Sequence, residues 1–256
     1  MNNFTDEEKK DAIEKSYAKA ALSSSNCGGS VDGCCSGDSS SLEFGYTKEQ
    51  LNSIPSEADK GLGCGNPTVV ALKQGETVLD LGSGAGLDCF LASNEVGETG
   101  KVIGVDMTRE MIAKARENKK KHDYDNVDFR LGEIENLPVG NDSVDVIISN
   151  CVINLSLNKQ RVFDEAYRVL KDGGILAVSD IVLTKQIPKE KITLDSFGIC
   201  IAGASFIDDL ERILENSGFE EICITPKGES KKFLKDWSQD IEDFIVSADI
   251  KAVKRD

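Results

Sequence analysis

Short apolar runs alternate along the chain with longer segments in which apolar residues recur at helical spacing. The short runs are rich in branched residues and predict strands at 77–82, 101–106, 127–132, 143–150 and 175–182. Helical spacing predicts helices near 86–96, 108–121 and 158–170. Strands that alternate with single helices form a parallel sheet covered on both faces. The pattern therefore predicts an α/β, doubly wound, mostly parallel fold whose strands end at one common edge.

The flanking segments differ from this repeating region. Residues 1–22 have helical character, and the Ser/Gly-rich stretch 23–41 has too few apolar residues to bury a core, which predicts a mobile segment. After residue 185 we expect helices near 189–200 and 207–217, followed by two closing strands. The predicted division is an N-terminal helix and Cys/Ser/Gly-rich segment, a Rossmann-like domain and a C-terminal extension, at 1–55, 56–185 and 186–256.

Composition excludes several classes of protein. The 256 residues are 39% hydrophobic and 29% charged, and no apolar run approaches the roughly 20 residues that span a bilayer. The first residues lack the apolar core of a secretory signal, so we expect a cytoplasmic protein without a membrane partner. A formal charge of −15 repels nucleic acid. We also expect a monomer.

Eight cysteines and a single histidine limit the chemistry. Cytosolic thiols are kept reduced, so structural disulfides are not the first explanation for so many cysteines. The only histidine, His122, ends a basic helix, which leaves conventional zinc sites and Cys/His or Ser/His catalysis without their usual partner. The composition therefore favours thiol chemistry or binding of a soft ion.

A glycine loop follows the first strand in "VLDLGSGAG". A dinucleotide fingerprint starting at Gly82 needs glycine at 87, where this chain has Leu87. The GxGxG loop after an acidic strand end instead resembles class I S-adenosylmethionine methyltransferases. The resemblance implies that the second strand end binds ribose and that "LGEIENLP" binds adenine through an acidic acceptor and an apolar contact. Met107 and Asn150, which stand at strand ends, are added to these positions. The predicted cofactor-binding residues are therefore Asp80, Gly82, Gly84, Gly86, Asp106, Met107, Glu133, Ile134 and Asn150.

Three cysteines stand in separate loops, in "GLGCGNP", "SNCVINL" and "GICIAGA". Together with "DLGSGAGLDCF", "VIGVDMT" and "EAYRVLKDGG", these segments resemble the arsenite S-adenosylmethionine methyltransferases over most of the chain. The resemblance implies that Cys64, Cys151 and Cys200 bind trivalent arsenic. The chain departs from the family at Ile201 and Ala202, where Leu or Ile followed by Gly is common, and in a short C-terminal extension that leaves the degree of methylation open.

The chemistry of arsenic suits these residues. Trivalent arsenic is thiophilic and pyramidal, so three thiolates leave one lone pair free to attack a sulfonium methyl group, and no general base is required. Each transfer oxidises arsenic, so further methylation needs electrons. The segment "NCGGSVDGCC" resembles the N-terminal cysteine segment of bacterial members, which implies a relay thiol among Cys27, Cys34 and Cys35, regenerated by a small thiol such as glutathione or by thioredoxin.

Two other functions compete with arsenite methylation. A methyltransferase for a quinone, sterol or similar small molecule requires an apolar pocket and tolerates loss of the thiols. A non-catalytic arsenic or antimony binding protein requires the thiols but not the glycine loop, Asp106 and Glu133. The presence of both sets of residues favours an enzyme that uses S-adenosylmethionine and trivalent arsenicals, with a role in arsenic detoxification.

Overall fold

The computed structural model describes residues 4–22, 40–238 and 240–255. The strands within these residues are β1 (Thr77–Leu81), β2 (Lys101–Asp106), β3 (Val127–Leu131), β4 (Val144–Asn150), β5 (Leu170–Leu183), β6 (Ser205–Phe206), β7 (Phe219–Lys227) and β8 (Ile245–Lys254). The α-helices are α1 (Asp6–Leu22), α2 (Ser40–Glu43), α3 (Lys48–Asn52), α4 (Leu87–Val96), α5 (Arg109–Lys121), α6 (Lys159–Val169), α7 (Asp195–Gly198), α8 (Ile207–Asn216) and α9 (Lys231–Leu234).

The strands form one sheet in the order β3-β2-β1-β4-β5-β8-β7, with β6 paired to β5 off this path. Strands β1 to β6 pair in parallel, and β8 pairs antiparallel with both β5 and β7. This confirms the predicted doubly wound, mostly parallel fold. Because β1, β2, β4 and β5 run in the same direction, their carboxyl ends share one edge of the sheet, where open α/β sheets bind ligands.

Helices on both faces of the sheet create two apolar layers. On one face Phe90 of α4 and Ile112 of α5 belong to the buried cluster, and on the other Phe163 of α6 and Leu214 of α8 pack with the strand residue Leu79. Strands buried on both faces have few polar positions, which explains why the central strands read as continuous apolar runs. Each fully buried large side chain contributes roughly 1.5–3 kcal/mol.

Helix α1 lies against α5 and α7, across the carboxyl edge of the sheet. Its Ile13 is buried, and the rings of Phe4 and Phe197 meet edge to face at 6.3 Å. Gly198 of α7 fits closely there, since a Cβ on it would lie 3.1 Å from the Ser16 side chain. The N-terminal helix is therefore part of the folded domain and adjoins the loop that carries Cys200.

The predicted helix at 189–200 is wrong. The chain forms a 3₁₀ turn at Lys189–Lys191 and then the four-residue helix α7. The side chains of Thr193 and Ser196 bond each other's backbone N–H groups at 3.3 and 3.1 Å, and such local bonds compete with a continuous helix. Cys200 then adopts a φ of 62°, which ends helical geometry.

The fifth strand begins earlier than the predicted 175–182. Strand β5 starts at Leu170, and its register with β4 shifts so that Val144 faces Leu170 while Val146 faces Ile175. The "KDGG" segment thus forms an irregularity inside the strand rather than a turn before it. The two-residue strand β6 and the short helices α2, α3 and α9 were not predicted.

None of the helices within the described residues has the length and apolar character needed to span a bilayer.

Candidate functional site

A cavity of about 960 Å³ opens at the carboxyl edge of the sheet. The glycine loop after β1 forms one wall, and Gly82 and Gly84 line the cavity. Gly82 has a φ of 73°, and a Cβ there would lie 2.3 Å from Val152. Gly86 has a φ of 101°, but it does not line the cavity among the described residues, and a Cβ on it would lie 2.8 Å from Phe90. The loop therefore needs glycine for its own conformation and for close packing.

Asp106, at the end of β2, holds the glycine loop and faces the cavity. One carboxylate oxygen accepts from the Gly84 N–H at 2.9 Å, and the other accepts from the Thr108 N–H at 2.8 Å. Burial raises the pKa of Asp106 above its usual value, although both backbone donors oppose that shift. The side chain is thus fixed in orientation and presents its remaining acceptor sites to the cavity.

Two more carboxylates lie beside the glycine loop, and only one of them lines the cavity. Asp80 is buried, accepts from the Cys89 thiol at 3.2 Å and lies behind the described lining residues. Asp88, on the first turn of α4, does line the cavity and accepts from the Tyr46 hydroxyl at 2.6 Å. Burial raises the pKa of Asp88 to about 6. Sequence reasoning selected Asp80 and missed Asp88, which directly follows the glycine loop.

The opposite wall carries the other predicted cofactor residues. Met107, Glu133 and Ile134 line the cavity, with Ile134 buried and the Glu133 side chain 58% exposed. Lys10 of α1 lies 3.9 Å from the Glu133 carboxylate. Helix α1 also lines this wall, so the cavity is partly covered from the N-terminal side.

The structure brings the thiols of Cys64, Cys151 and Cys200 together at the same edge. All three are buried, and Cys151 interacts with the thiols of the other two. Cys200 donates to the Cys151 carbonyl at 2.7 Å. Cys151 and Cys200 line the cavity, whereas Cys64 lies behind the described lining residues. Burial raises the pKa of Cys64 and, more strongly, of Cys151, so both are neutral thiols at neutral pH.

Two of these cysteines have left-handed backbone conformations. Cys151 has a φ of 57° and Cys200 a φ of 62°. A non-glycine residue in this region costs about 1–2 kcal/mol, and such strain concentrates at functional sites. Backbone hydrogen bonds hold both segments in place. The Cys151 N–H donates to the Ser179 carbonyl at 2.8 Å, and the Ile201 N–H, next to Cys200, donates to the Ser196 carbonyl at 3.1 Å.

Asn150, at the end of β4, links the Cys64 loop to the sheet. Its amide oxygen accepts from the Cys64 N–H at 3.0 Å, and its amide nitrogen donates to the Gly65 carbonyl at 2.7 Å and the Tyr46 hydroxyl at 2.9 Å. Tyr46 in turn bonds Asp88. Asn150 lines the cavity, but its polar atoms are hydrogen-bonded to the Cys64 loop and to Tyr46. It therefore positions the thiol loop as well as forming part of the predicted cofactor-binding wall.

A further carboxylate, Asp180, lies next to the thiols. The Sγ atoms of Cys64 and Cys151 and a carboxylate oxygen of Asp180 all lie within 4.8 Å of one another. Burial raises the pKa of Asp180 to about 6, and the charge of Lys159 opposes that shift. The Lys159 ammonium donates to the Gly203 carbonyl at 2.6 Å. Sequence reasoning did not identify Asp180, because nothing in "ILAVSDIV" distinguishes it from a structural strand residue.

Two further cysteines of the described residues lie apart from this group. Cys89 is buried on α4 beside Asp80. Burial of the thiol, together with the charge of Asp80, raises the pKa of Cys89 well above its usual value. Cys223 is exposed on β7. Cys27, Cys34 and Cys35 fall outside the described residues.

Comparison with known proteins identifies relatives of this chain. The sequence profile of a methyltransferase domain family matches residues 72–218. An arsenite methyltransferase of Halobacterium salinarum is 51% identical over 97% of this chain, and one of Aquipseudomonas alcaligenes is 38% identical over 82%. A crystal structure of an arsenic(III) S-adenosylmethionine methyltransferase from Chlamydomonas reinhardtii superposes with a TM-score of 0.61 at 30% identity, covering 86% of this chain and 75% of that one.

The relatives are longer than this chain. The matches span 67% of the Halobacterium protein, 62% of the Aquipseudomonas protein and 40% of the human arsenite methyltransferase, which is 41% identical over 56% of this chain.

We expect Asn150→Ala to loosen the Cys64 loop. The substitution removes hydrogen bonds worth roughly 0.5–1.5 kcal/mol each. A total near 1.4 kcal/mol corresponds to about a tenfold change in the open population, and the alkylation rate of Cys64 should rise accordingly. Iodoacetamide labelling followed by peptide mass spectrometry measures this rate.

The matched control is Asn94→Ala, which removes an exposed amide that donates to Ser53. It should leave Cys64 labelling unchanged. Equal labelling of Cys64 in wild type and Asn150→Ala would contradict the anchoring role.

Proposed function

The chain belongs to the arsenite methyltransferase family, and from this premise we propose that it methylates trivalent arsenic held by Cys64, Cys151 and Cys200, in arsenic detoxification. The enzyme class is an S-adenosylmethionine-dependent methyltransferase. The observation that carries the proposal is the position of three buried thiols at the edge where the glycine loop and Asp106 line a single large cavity.

The residues around the cavity fit S-adenosylmethionine. The volume of about 960 Å³ lies within the range of small-molecule sites, roughly 300–1,000 Å³. Asp106 would accept from the ribose hydroxyls, Glu133 from the adenine amino group, and Ile134 would pack on the adenine ring. Asp88, which is buried and lines the cavity, would accept from the cationic amino group. When bound, S-adenosylmethionine supplies an activated methyl group on a sulfonium.

Burial raises the pKa of Cys64 and Cys151 and keeps them as neutral thiols, which arsenite can bind directly. Arsenite carries three hydroxyl groups, and each neutral thiol replaces one: an As–S bond forms, an As–O bond breaks, and the thiol proton leaves with the hydroxyl as water. Three exchanges consume three thiols and release three waters without net proton release. Burial of neutral thiols is therefore no obstacle to binding arsenite.

Coordination by three thiolates leaves the lone pair of arsenic free. Since arsenic carries no proton that must leave during methylation, the chain needs no general base. The only histidine, His122, lies at the end of α5 near Glu57 rather than in the cavity lining. Catalysis by this chain is then chiefly positioning, which supplies up to about 7–11 kcal/mol in well-oriented reactions.

We further infer that the N-terminal cysteines return arsenic to the trivalent state. A thiolate attacks an arsenic-bound sulfur: an S–S bond forms, an As–S bond breaks, and its electron pair stays on arsenic. Cys64 is the expected partner because its loop follows the cysteine-rich segment in sequence. A small thiol or thioredoxin then reduces the disulfide by exchange. A monomeric, cytoplasmic protein is also part of this proposal.

Single Ser substitutions at Cys64, Cys151 and Cys200 should sharply reduce arsenite methylation, because each removes one of three arsenic ligands. A monomethylated substrate has only two exchangeable ligands and should tolerate loss of one thiol better. Arsenic speciation of the products after incubation with S-adenosylmethionine, arsenite and a thiol measures the effect. Cys89→Ser and Cys223→Ser are the controls, and equal methylation by all five variants would rule out the thiolate site.

Asp106→Ala should weaken S-adenosylmethionine binding while the fold is retained. Hydrogen bonds to a charged group are worth roughly 1.5–3 kcal/mol, which corresponds to about a 10–150-fold rise in Kd by titration calorimetry. Asp128→Ala is the matched control, because Asp128 lies on the neighbouring strand and pairs with Arg130. Unchanged affinity in Asp106→Ala would contradict the assignment.

Joint replacement of Cys27, Cys34 and Cys35 by Ser should preserve arsenite binding and the first methyl transfer. Later turnovers with a mild thiol reductant should be suppressed, because no relay thiol remains. Product counts under single-turnover and multiple-turnover conditions test this. The relay is excluded if both regimes lose activity equally or if neither does.

A further inference from the structure

The thiol cluster contains one more donor than trivalent arsenic uses. Arsenic in its pyramidal form takes three thiolates, yet a carboxylate oxygen of Asp180 lies within 4.8 Å of the Sγ atoms of both Cys64 and Cys151. Cys200 adjoins Cys151. Two sulfurs and one carboxylate oxygen thus lie close together in a buried volume, and the Cys200 sulfur lies outside this 4.8 Å group, next to Cys151.

Asp180 is held in place by its hydrogen bonds. Its side chain accepts from the Ile181 N–H at 2.7 Å, from the Asn154 amide nitrogen at 2.8 Å and from the Asn154 N–H at 3.2 Å. The Ile153 N–H contributes a fourth bond. A carboxylate offers about four lone-pair sites, so a bound cation takes the place of one of these bonds. Asp180 is only 2% exposed and is not among the described residues that line the cavity.

We propose that Cys64, Cys151, Cys200 and Asp180 form a four-coordinate site for a thiophilic divalent cation, Zn²⁺ or Cd²⁺, that competes with arsenite. Zinc prefers four tetrahedral ligands, and a Zn–S distance of about 2.3 Å places sulfurs about 3.8 Å apart. The Cys64–Cys151 sulfur separation of at most 4.8 Å therefore needs to contract by about 1 Å or less, and the Cys200 sulfur must move further to complete the site. Zinc and cadmium both accept this combination of thiolate and carboxylate.

Charge also supports a cation at this position. Three thiolates and one carboxylate carry four negative charges, and a divalent ion neutralises half of them. Lys159 contributes a further positive charge near Asp180 and Cys200. Each coordinating thiol must lose its proton to solvent, because the cation brings no hydroxyl to remove it. Cation binding therefore releases about three protons, whereas arsenite binding releases none.

Cadmium titration of the reduced, metal-free protein tests the site. A background variant with Ser at Cys27, Cys34, Cys35 and Cys223 removes four of the five other thiols. The expected result is one Cd²⁺ per chain with thiolate-to-cadmium absorption, release of about three protons in calorimetry with two buffers, and displacement by arsenite. Cadmium binding that survives Cys151→Ser with the same absorption and proton count would overturn the proposal.

The role of Asp180 has its own test. Asp180→Asn should weaken Cd²⁺ binding by at least about 10–100-fold, the range seen when groups that only support metal ligands are lost, and should leave arsenite affinity within about twofold. Asp145→Asn, near the amino end of the neighbouring strand β4, is the control for loss of a carboxylate. Unchanged cadmium affinity in Asp180→Asn, or equal weakening of cadmium and arsenite, would overturn the assignment.

A second pair of variants covers the case in which Asp180→Asn does not fold. Asp180→Glu and Asp180→Gln have nearly equal volume and differ in charge, so the Glu variant should bind Cd²⁺ at least about tenfold more tightly. Equal affinities would overturn the role of the carboxylate. These binding measurements do not require turnover, so absence of arsenite methylation by the wild type would refute the proposed function alone.

Discussion

The amide of Asn150 is the contact on which the arrangement of the site depends. A loop at the carboxyl edge of a sheet has no ladder partners, so something else must fix the backbone that carries Cys64. Asn150 does so from the end of β4, where its amide accepts from the Cys64 N–H and donates to the Gly65 carbonyl. Through Tyr46 the same amide reaches Asp88 beside the glycine loop. One side chain thereby sets the position of a thiol loop relative to the wall that would hold the cofactor.

The cysteines are held in position although local contributions to the free energy are unfavourable. Cys151 and Cys200 have left-handed backbone conformations, and burial disfavours ionisation of Cys151. The sheet overrides these costs because strands β4 and β5 are paired along their length and buried on both faces. A rigid scaffold can therefore hold neutral thiols close together in a geometry that flexible loops alone would not maintain. Neutral thiols suit arsenite, which supplies its own hydroxyl groups.

Much of the architecture follows from local sequence. The apolar runs predict the parallel strands, and the glycine spacing identifies the loop that needs positive φ. The contributions of Asp88, Tyr46 and Asp180 do not follow from sequence, because each depends on contacts across many residues, such as the 42 that separate Tyr46 from Asp88. The helix predicted at 189–200 does not form, because hydrogen bonds to the side chains of Thr193 and Ser196 outweigh the helical periodicity. The boundaries at 55/56 and 185/186 stay predictions.

The hydrogen bond from the Ser247 hydroxyl to the Cys64 carbonyl, at 2.7 Å, spans 183 residues of sequence. Ser247 lies on β8, which inserts between β5 and β7. Contacts of such separation form late, since the entropy of closing a long loop must be overcome first. The bonds from Asn150 can form once β4 is in place, whereas the bond from Ser247 also needs β8. We therefore expect the three-thiol site to reach its final geometry only after β8 has closed the sheet.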